Sequence, residues 1–155
     1  MAGQGTVRGL DLVDFNFPQH LVPSSKASSS ESIQEGGDGR LSVDEAKGAL
    51  RAAGLAAGAV CLRYSKDMQL GAMTNPDPAV RRRAIDLTIE AGRAAEALGA
   101  EELVVWSAYC GYDYSLQVDY HVLWRRVVEA FQEVCDACPR LAPCACRNCL
   151  RSFSE

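Results

Sequence analysis

Hydrophobic and polar residues alternate along 10–17, with Val13, Phe15 and Phe17 on one side and Asp14 and Asn16 on the other. That period of two predicts a half-buried strand whose carboxyl end carries Asn16 and the Pro18-Gln19-His20 turn to a rim. A second apolar run at 59–64 reads as another strand. The run 103–106 (Leu103, Val104, Val105, Trp106) reads as a third, with no polar position to offer solvent and so buried on both faces. Elsewhere the spacing of apolar residues changes to three and four. Ala46, Ala49, Leu50 and Ala53 line one face of a short helix, and Val80, Ala84, Leu87, Ala91, Ala94 and Leu98 line a long one. Tyr120, Leu123, Val127, Ala130, Phe131 and Val134 form the inward face of a last helix. Strands alternating with helices predict an α/β fold of parallel strands joined by right-handed crossovers. Periodicity alone leaves two arrangements open, part of a (β/α)8 barrel or a small open sheet.

The helix ends carry their own signals. Ser42 and Glu45 stand at capping-box spacing and Gly54 stops the short helix. Asp77 and Pro78, in Asn75-Pro76-Asp77-Pro78, start the long helix, which ends at Gly99. Residues 35–45 imitate the second half of a calcium-binding EF-hand loop. Counting back from Glu45, however, puts Gln34 and Gly36 where oxygen-donating acids belong, so the capping box is the better reading. The stretch 23–40 is dominated by Ser, Gly and Glu and cannot bury enough apolar surface to order itself, which makes it a flexible insertion.

Composition changes this picture little. The chain has 155 residues, 48% hydrophobic and 23% charged, enough for one domain with a real core. The net charge is −4, and Arg81, Arg82 and Arg83 are followed by Asp86 and Glu90. A solvated helical turn accounts for them better than a phosphate patch, and no nucleic-acid surface is expected. No apolar run reaches the ~20 residues that span a bilayer, and the first residues lack the apolar core of a signal peptide. No membrane contact and a cytoplasmic location are the expectation.

Candidate chemistry gathers after the third strand. The loop there holds Tyr109, Gly111, Tyr112, Asp113 and Tyr114. Loops at the carboxyl ends of parallel strands are where such folds hold ligands. Asn16, His20, Trp106, Tyr112 and Asp113 are therefore the candidate substrate-binding residues, set for a small polar ligand. Each also has a plain alternative. His20 could be a satisfied structural histidine, Trp106 could be core, and the tyrosines could cover the end of the sheet without touching a ligand. Asp14, Asp113 and His20 are too few and too dispersed for an octahedral metal site, so no metal ligand is assigned.

Trp106, Gly111, Tyr112, Asp113 and the trailing Leu116-Gln117-Val118-Asp119 resemble the Trp…Gly-Tyr-Glu…Asp stretch of the xylose isomerase-like sugar isomerases and epimerases. Asp113 departs from the family's Glu. Asn16-Phe17-Pro18-Gln19-His20 and Asn75-Pro76-Asp77-Pro78 are similar to segments of the same family, and the likeness covers roughly 10–139. It implies a partial (β/α)8 TIM barrel of about three strands and three helices, resembling strand two through helix four. Residues 1–139 would form this domain and 140–155 an off-pattern tail. It also implies a sugar or sugar phosphate as ligand, and a family chemistry in which a divalent metal such as Mg²⁺ or Mn²⁺ polarises the substrate's oxygens. The metal ligands of the family come from later strands. This chain is therefore expected to hold no cofactor and to be inactive by itself, a fragment that can self-associate through exposed sheet edges.

Where the resemblance places a strand with the first metal-binding Glu, the sequence turns to Ala142-Pro143-Cys144-Ala145-Cys146-Arg147. Five of the seven cysteines lie between Cys135 and Cys149, and two Cys-x-x-Cys pairs could supply four thiolates to zinc. The gap between the pairs is short, and Cys138 lies on an amphipathic helix where it suits the core. The abrupt Pro, Cys, Arg and Ser composition reads better as the product of an altered frame or splice. A non-catalytic interaction fragment and a small zinc module are the alternatives to the isomerase reading.

Overall fold

The computed structural model describes residues 9–22, 39–106 and 117–141. The 23–38 part of the insertion, the Tyr-rich loop at 107–116 and the Cys-rich tail from 142 lie outside the described residues. Three strands form one parallel sheet: β1 (Leu12–Phe17), β2 (Ala56–Leu62) and β3 (Glu102–Val105), in that order across the sheet. The helices are α1 (Val43–Ala53), α2 (Pro78–Leu98) and α3 (Tyr120–Ala137). This is an α/β unit of three strands and three helices, the architecture expected of part of a TIM barrel.

One face of the sheet is covered. Phe15 and Phe17 of β1 lie opposite Val60 and Leu62 of β2, and Leu103 of β3 lies beside Val60. All five are buried, and Phe17, Val60 and Leu62 are almost wholly so. Each such side chain contributes about 1.5–3 kcal/mol relative to leaving it in water. Ala84, Ala91, Ala94, Ala95 and Leu98 of α2 complete the layer. Small residues there let the helix lie close to the strands. Thr88 sits among them, fully buried, and donates to the Ala84 carbonyl at 2.7 Å. Its single proton is thus used, so Tyr64 Oη, 2.9 Å from Thr88 Oγ1, is the donor in that contact.

The caps are as the sequence predicts. Ser42 and Glu45 form both halves of a capping box, Gly54 closes α1 at φ 68°, and Gly99 closes α2 at φ 75°. Asp77 caps α2 by accepting from Ala79 N–H at 2.8 Å. Asn75, buried in the preceding loop, donates to Gly71 O at 2.6 Å and accepts from Asp77 N–H at 2.9 Å.

Several expectations need correction. Strand β2 begins at Ala56, three residues before the apolar run suggests, because a bulge interrupts its alternation. Val13 pairs with Ala57 but Phe15 with Val60, so β2 carries one extra residue there. Strand β3 is buried on one face only: Val104 is 39% exposed and Trp106 just beyond it 52%. It is an edge strand, and its far side has no neighbour among the described residues. On α1, Ala46 and Leu50 are buried but Ala49 and Ala53 are exposed, which makes its inner stripe narrower than predicted. Tyr120 on α3 is also exposed, since this helix buries only Ala130 and Val134 where it crosses α2.

Candidate functional site

The uncovered face of the sheet ends in a cluster at the carboxyl ends of all three strands. The ladder runs one residue past the ends of β2 and β3: Arg63 N–H donates to Phe17 O at 2.9 Å and Trp106 N–H to Leu62 O at 3.3 Å. Since Phe17, Leu62 and Leu103 face the helices, the alternate residues Asn16, Arg63 and Trp106 emerge together on the open side. Arg63 Nε donates to Asn16 Oδ1 at 3.1 Å, and the Arg63 guanidinium carbon stands 5.1 Å from the centre of the Trp106 ring. A planar cation on an indole face at that distance is a cation–π contact.

His20 joins from the turn after β1. Its backbone N–H donates to Asn16 O at 2.8 Å, while Asn16 N–H donates to His20 Nδ1 at 3.1 Å. An amide N–H needs a lone pair, so Nδ1 carries no proton and the ring proton sits on Nε2. The turn is held from the other side, where Leu41 N–H donates to His20 O at 2.8 Å and Leu21 bridges Leu41. Asn16, His20 and Trp106 therefore share one rim, as the sequence pattern requires. Tyr112 and Asp113 lie outside the described residues.

Arg63 is the residue that sequence reasoning missed. It was absorbed into an apolar run as the polar member of a strand. The available signal was its being the one charged residue of that run; which face it takes follows from the bulge and the strand pairing.

Asp14 and His20 do not build a metal site. Asp14 Oδ1 accepts from Ala59 N–H at 2.8 Å, and His20 Nδ1 is occupied as described. Among the described residues, no three His, Cys, Asp or Glu side chains converge. Asp14 and His20 by themselves do not supply the octahedral oxygen cage that Mg²⁺ or Mn²⁺ requires, and Asp113 lies outside the described residues. Cys138 is 3% exposed, and its thiol points at Ile89 O, 3.7 Å away. Burial, and next the Glu96 carboxylate, push that thiol up to about 11. It packs in the core as a small hydrophobe, while Cys144, Cys146 and Cys149 lie outside the described residues.

Arg81, Arg82 and Arg83 in the first turns of α2 are all engaged within the chain. Arg82 bridges Asp86 at 2.8 Å and Glu133 of α3 at 2.7 Å, and Arg83 pairs with Asp67 at 3.1 Å. Arg81 donates to the carbonyls of Asn75 and Pro76. A cavity of about 230 Å³ lies elsewhere, between Thr74, Pro76, Val118, Val122 and Arg126, and none of the rim residues lines it. Its polar groups are already used in large part. Asp119 caps α3 and Arg126 donates to Thr74 O at 3.3 Å, although the buried Thr74 hydroxyl has no partner among the described residues. The rim, with outward-facing polar groups on three strands, is the better site.

Among the described residues, no helix is long and apolar enough to cross a membrane. The family model for the xylose isomerase-like TIM barrel matches residues 9–143. No curated protein matches the chain significantly. Among solved structures, D-psicose 3-epimerase from Clostridium cellulolyticum H10, crystallised with D-tagatose, superposes with a TM-score of 0.53 at 22% identity. That superposition covers 90% of this chain and 40% of the epimerase, so the chain spans well under half of that protein's length. At this identity the likeness speaks for the fold. With the family model spanning nearly all of the sheet and its helices, the chain belongs to the xylose isomerase-like TIM-barrel family.

Proposed function

We propose that this chain forms a carbohydrate-binding portion of a sugar isomerase or epimerase barrel, and that by itself it binds without catalysing. The observation that carries the reading is the Asn16–His20–Arg63–Trp106 cluster on the carboxyl-end rim. Its polar side chains have hydrogen-bonding atoms left for a polyhydroxylated ligand, and an indole stands beside them. Catalysis of the family's kind needs a divalent metal held by several converging oxygens. Asp14 and His20 are engaged with backbone amides instead.

The test is ligand-observed NMR on the full chain with a panel of aldoses, ketoses and their phosphates, alongside an isomerisation assay with Mg²⁺, Mn²⁺ or Co²⁺. Saturation transfer to at least one sugar is expected, reduced about tenfold in affinity by Trp106→Ala, a loss of ~1.4 kcal/mol. No turnover is expected with any of the metals. Absence of transfer from every sugar would overturn the binding reading. Chelator-sensitive interconversion would overturn the claim that the chain does not catalyse.

A further inference from the structure

Within the rim, hydrogen bonds take up one lone pair of Asn16 Oδ1 and the single lone pair of His20 Nδ1. Asn16 Oδ1 receives Arg63 Nε, and His20 Nδ1 receives Asn16 N–H. The assignment of the Asn16 amide is fixed by chemistry, because a guanidinium N–H can only donate and must face the oxygen. What remains for a ligand is the Asn16 amide NH₂, the His20 Nε2–H and the terminal NH₂ groups of Arg63. All of these donate, and the second lone pair of Asn16 Oδ1 is the one side-chain acceptor left beside them.

Charge points the same way. Arg82 and Arg83 are paired with carboxylates, whereas Arg63 has none among the described residues. Its contacts among the described residues are a neutral amide and an indole face, which orient the guanidinium without neutralising it. A sugar hydroxyl gives and takes hydrogen bonds about equally. A surface dominated by donors, with a planar cation at its centre that no carboxylate among the described residues pairs, is complementary to a group that only accepts.

We infer that Arg63 is a specificity-determining residue that selects an anionic carbohydrate, a sugar phosphate or a sugar acid, over a neutral sugar. This rests on the carbohydrate-binding reading above and narrows it. The phosphate or carboxylate meets the terminal Arg63 NH₂ groups, with Asn16 Nδ2 and His20 Nε2 as flanking donors. Trp106 holds the guanidinium flat, so it is a positioning residue for Arg63 as well as an apolar wall. The family resemblance leaves a sugar and a sugar phosphate equally open; the donor-rich rim favours the charged ligand.

The experiment is titration calorimetry on the full chain with D-fructose, D-fructose 6-phosphate and D-gluconate, in the wild type, Arg63→Gln and Arg63→Lys. Either charged ligand is expected to bind at least about tenfold more tightly than fructose, since hydrogen bonds between charged groups are roughly twice as strong as neutral ones, less what solvent screens. Which of the two binds more tightly distinguishes phosphate from carboxylate. Arg63→Gln should abolish the preference by bringing the charged ligand to about the affinity of fructose, while Arg63→Lys should keep part of it. Raising the salt from about 50 to 500 mM should weaken the charged ligand alone, because screening acts on charge. The salt series needs only the wild type and decides the matter even if a variant does not fold. Equal affinity for charged and neutral sugars, or a preference that survives Arg63→Gln, would overturn the inference while leaving the carbohydrate reading intact. If no sugar of either kind binds, the carbohydrate reading fails and takes the inference with it.

Discussion

At Asp14 a carboxylate that the strand pattern offers to solvent is drawn back into the sheet. The bulge in β2 leaves the Ala59 amide without a ladder partner, and Asp14 Oδ1 accepts from it at 2.8 Å. Gly58 makes this approach possible, since a Cβ there would lie 2.6 Å from the same oxygen. Asp14→Ala should therefore cost about 1 kcal/mol, at the low end for a charged acceptor because the site is exposed. Asp14→Asn, which keeps an oxygen in place, should cost less. Urea midpoints of the two variants check this, and a midpoint for Asp14→Ala equal to that of the wild type would remove the role assigned here. Residues of this scale divide by legibility. Asn16, His20 and Trp106 could be placed because they follow strand ends. The assignment of Asp14 to a backbone amide and of Arg63 to Asn16 depends on which strands are neighbours, and a single sequence does not state that. Thr88 was missed for a related reason, as its hydroxyl is satisfied within its own helix turn and the residue packs as if apolar.

Between elements, the tightest approach is where α2 meets the end of α3. A Cβ on Gly92 would lie 2.5 Å from Cys138 Sγ and 3.3 Å from its Cβ. Gly92→Ala gains roughly 0.5–1 kcal/mol of helix propensity but overpacks a closed contact at about 1–3 kcal/mol, so the net effect is destabilising. The same substitution in a Cys138→Ala background should cost less, because the sulfur that blocks it has gone. Thermal melts of the two singles and the double form the cycle. A higher Tm for Gly92→Ala alone would show that the helices part freely. Helix ends were legible because capping is local chemistry: Ser42, Glu45, Gly54, Asp77 and Gly99 each act within a few residues of chain. The start of β2 was not, since its alternation breaks at the bulge and Gly58 reads like a turn residue. The inner faces of α1 and α3 were drawn too wide. Periodicity tells which side of a helix is apolar, but how far each side chain is covered depends on the size of its neighbours.

For the molecule as a whole, half of the sheet surface lacks a cover among the described residues. Leu12 is 53% exposed, Val104 39% and Trp106 52%, all on the face away from the helices, and β1 and β3 are both edges. Unpaired edges beside exposed apolar side chains favour association with another chain. Self-association is therefore expected, visible in analytical ultracentrifugation as a sedimentation coefficient that rises with concentration across the micromolar range. A monomer at every concentration would contradict it. The barrel itself was legible through family resemblance, and the alternation of strands and helices left an open sheet equally possible. Whether a sheet closes is decided by strands that the periodicity of these residues does not contain.

The extra residue in β2 has a geometric meaning for everything downstream of it. Before the bulge the helix-facing member of the strand is odd-numbered, Ala57; after it the buried set is even-numbered, Val60, Leu62 and Tyr64. The bulge is thus a parity inversion, and every later position of the strand inherits it. With uninterrupted counting, Cys61 and Arg63 would fall in phase with the helix layer, and Leu62 would look out over the rim. The cation beside Trp106 owes its outward aim to an insertion four to five positions upstream, at Gly58 and Ala59, and Asp14 is the latch that keeps that offset from slipping.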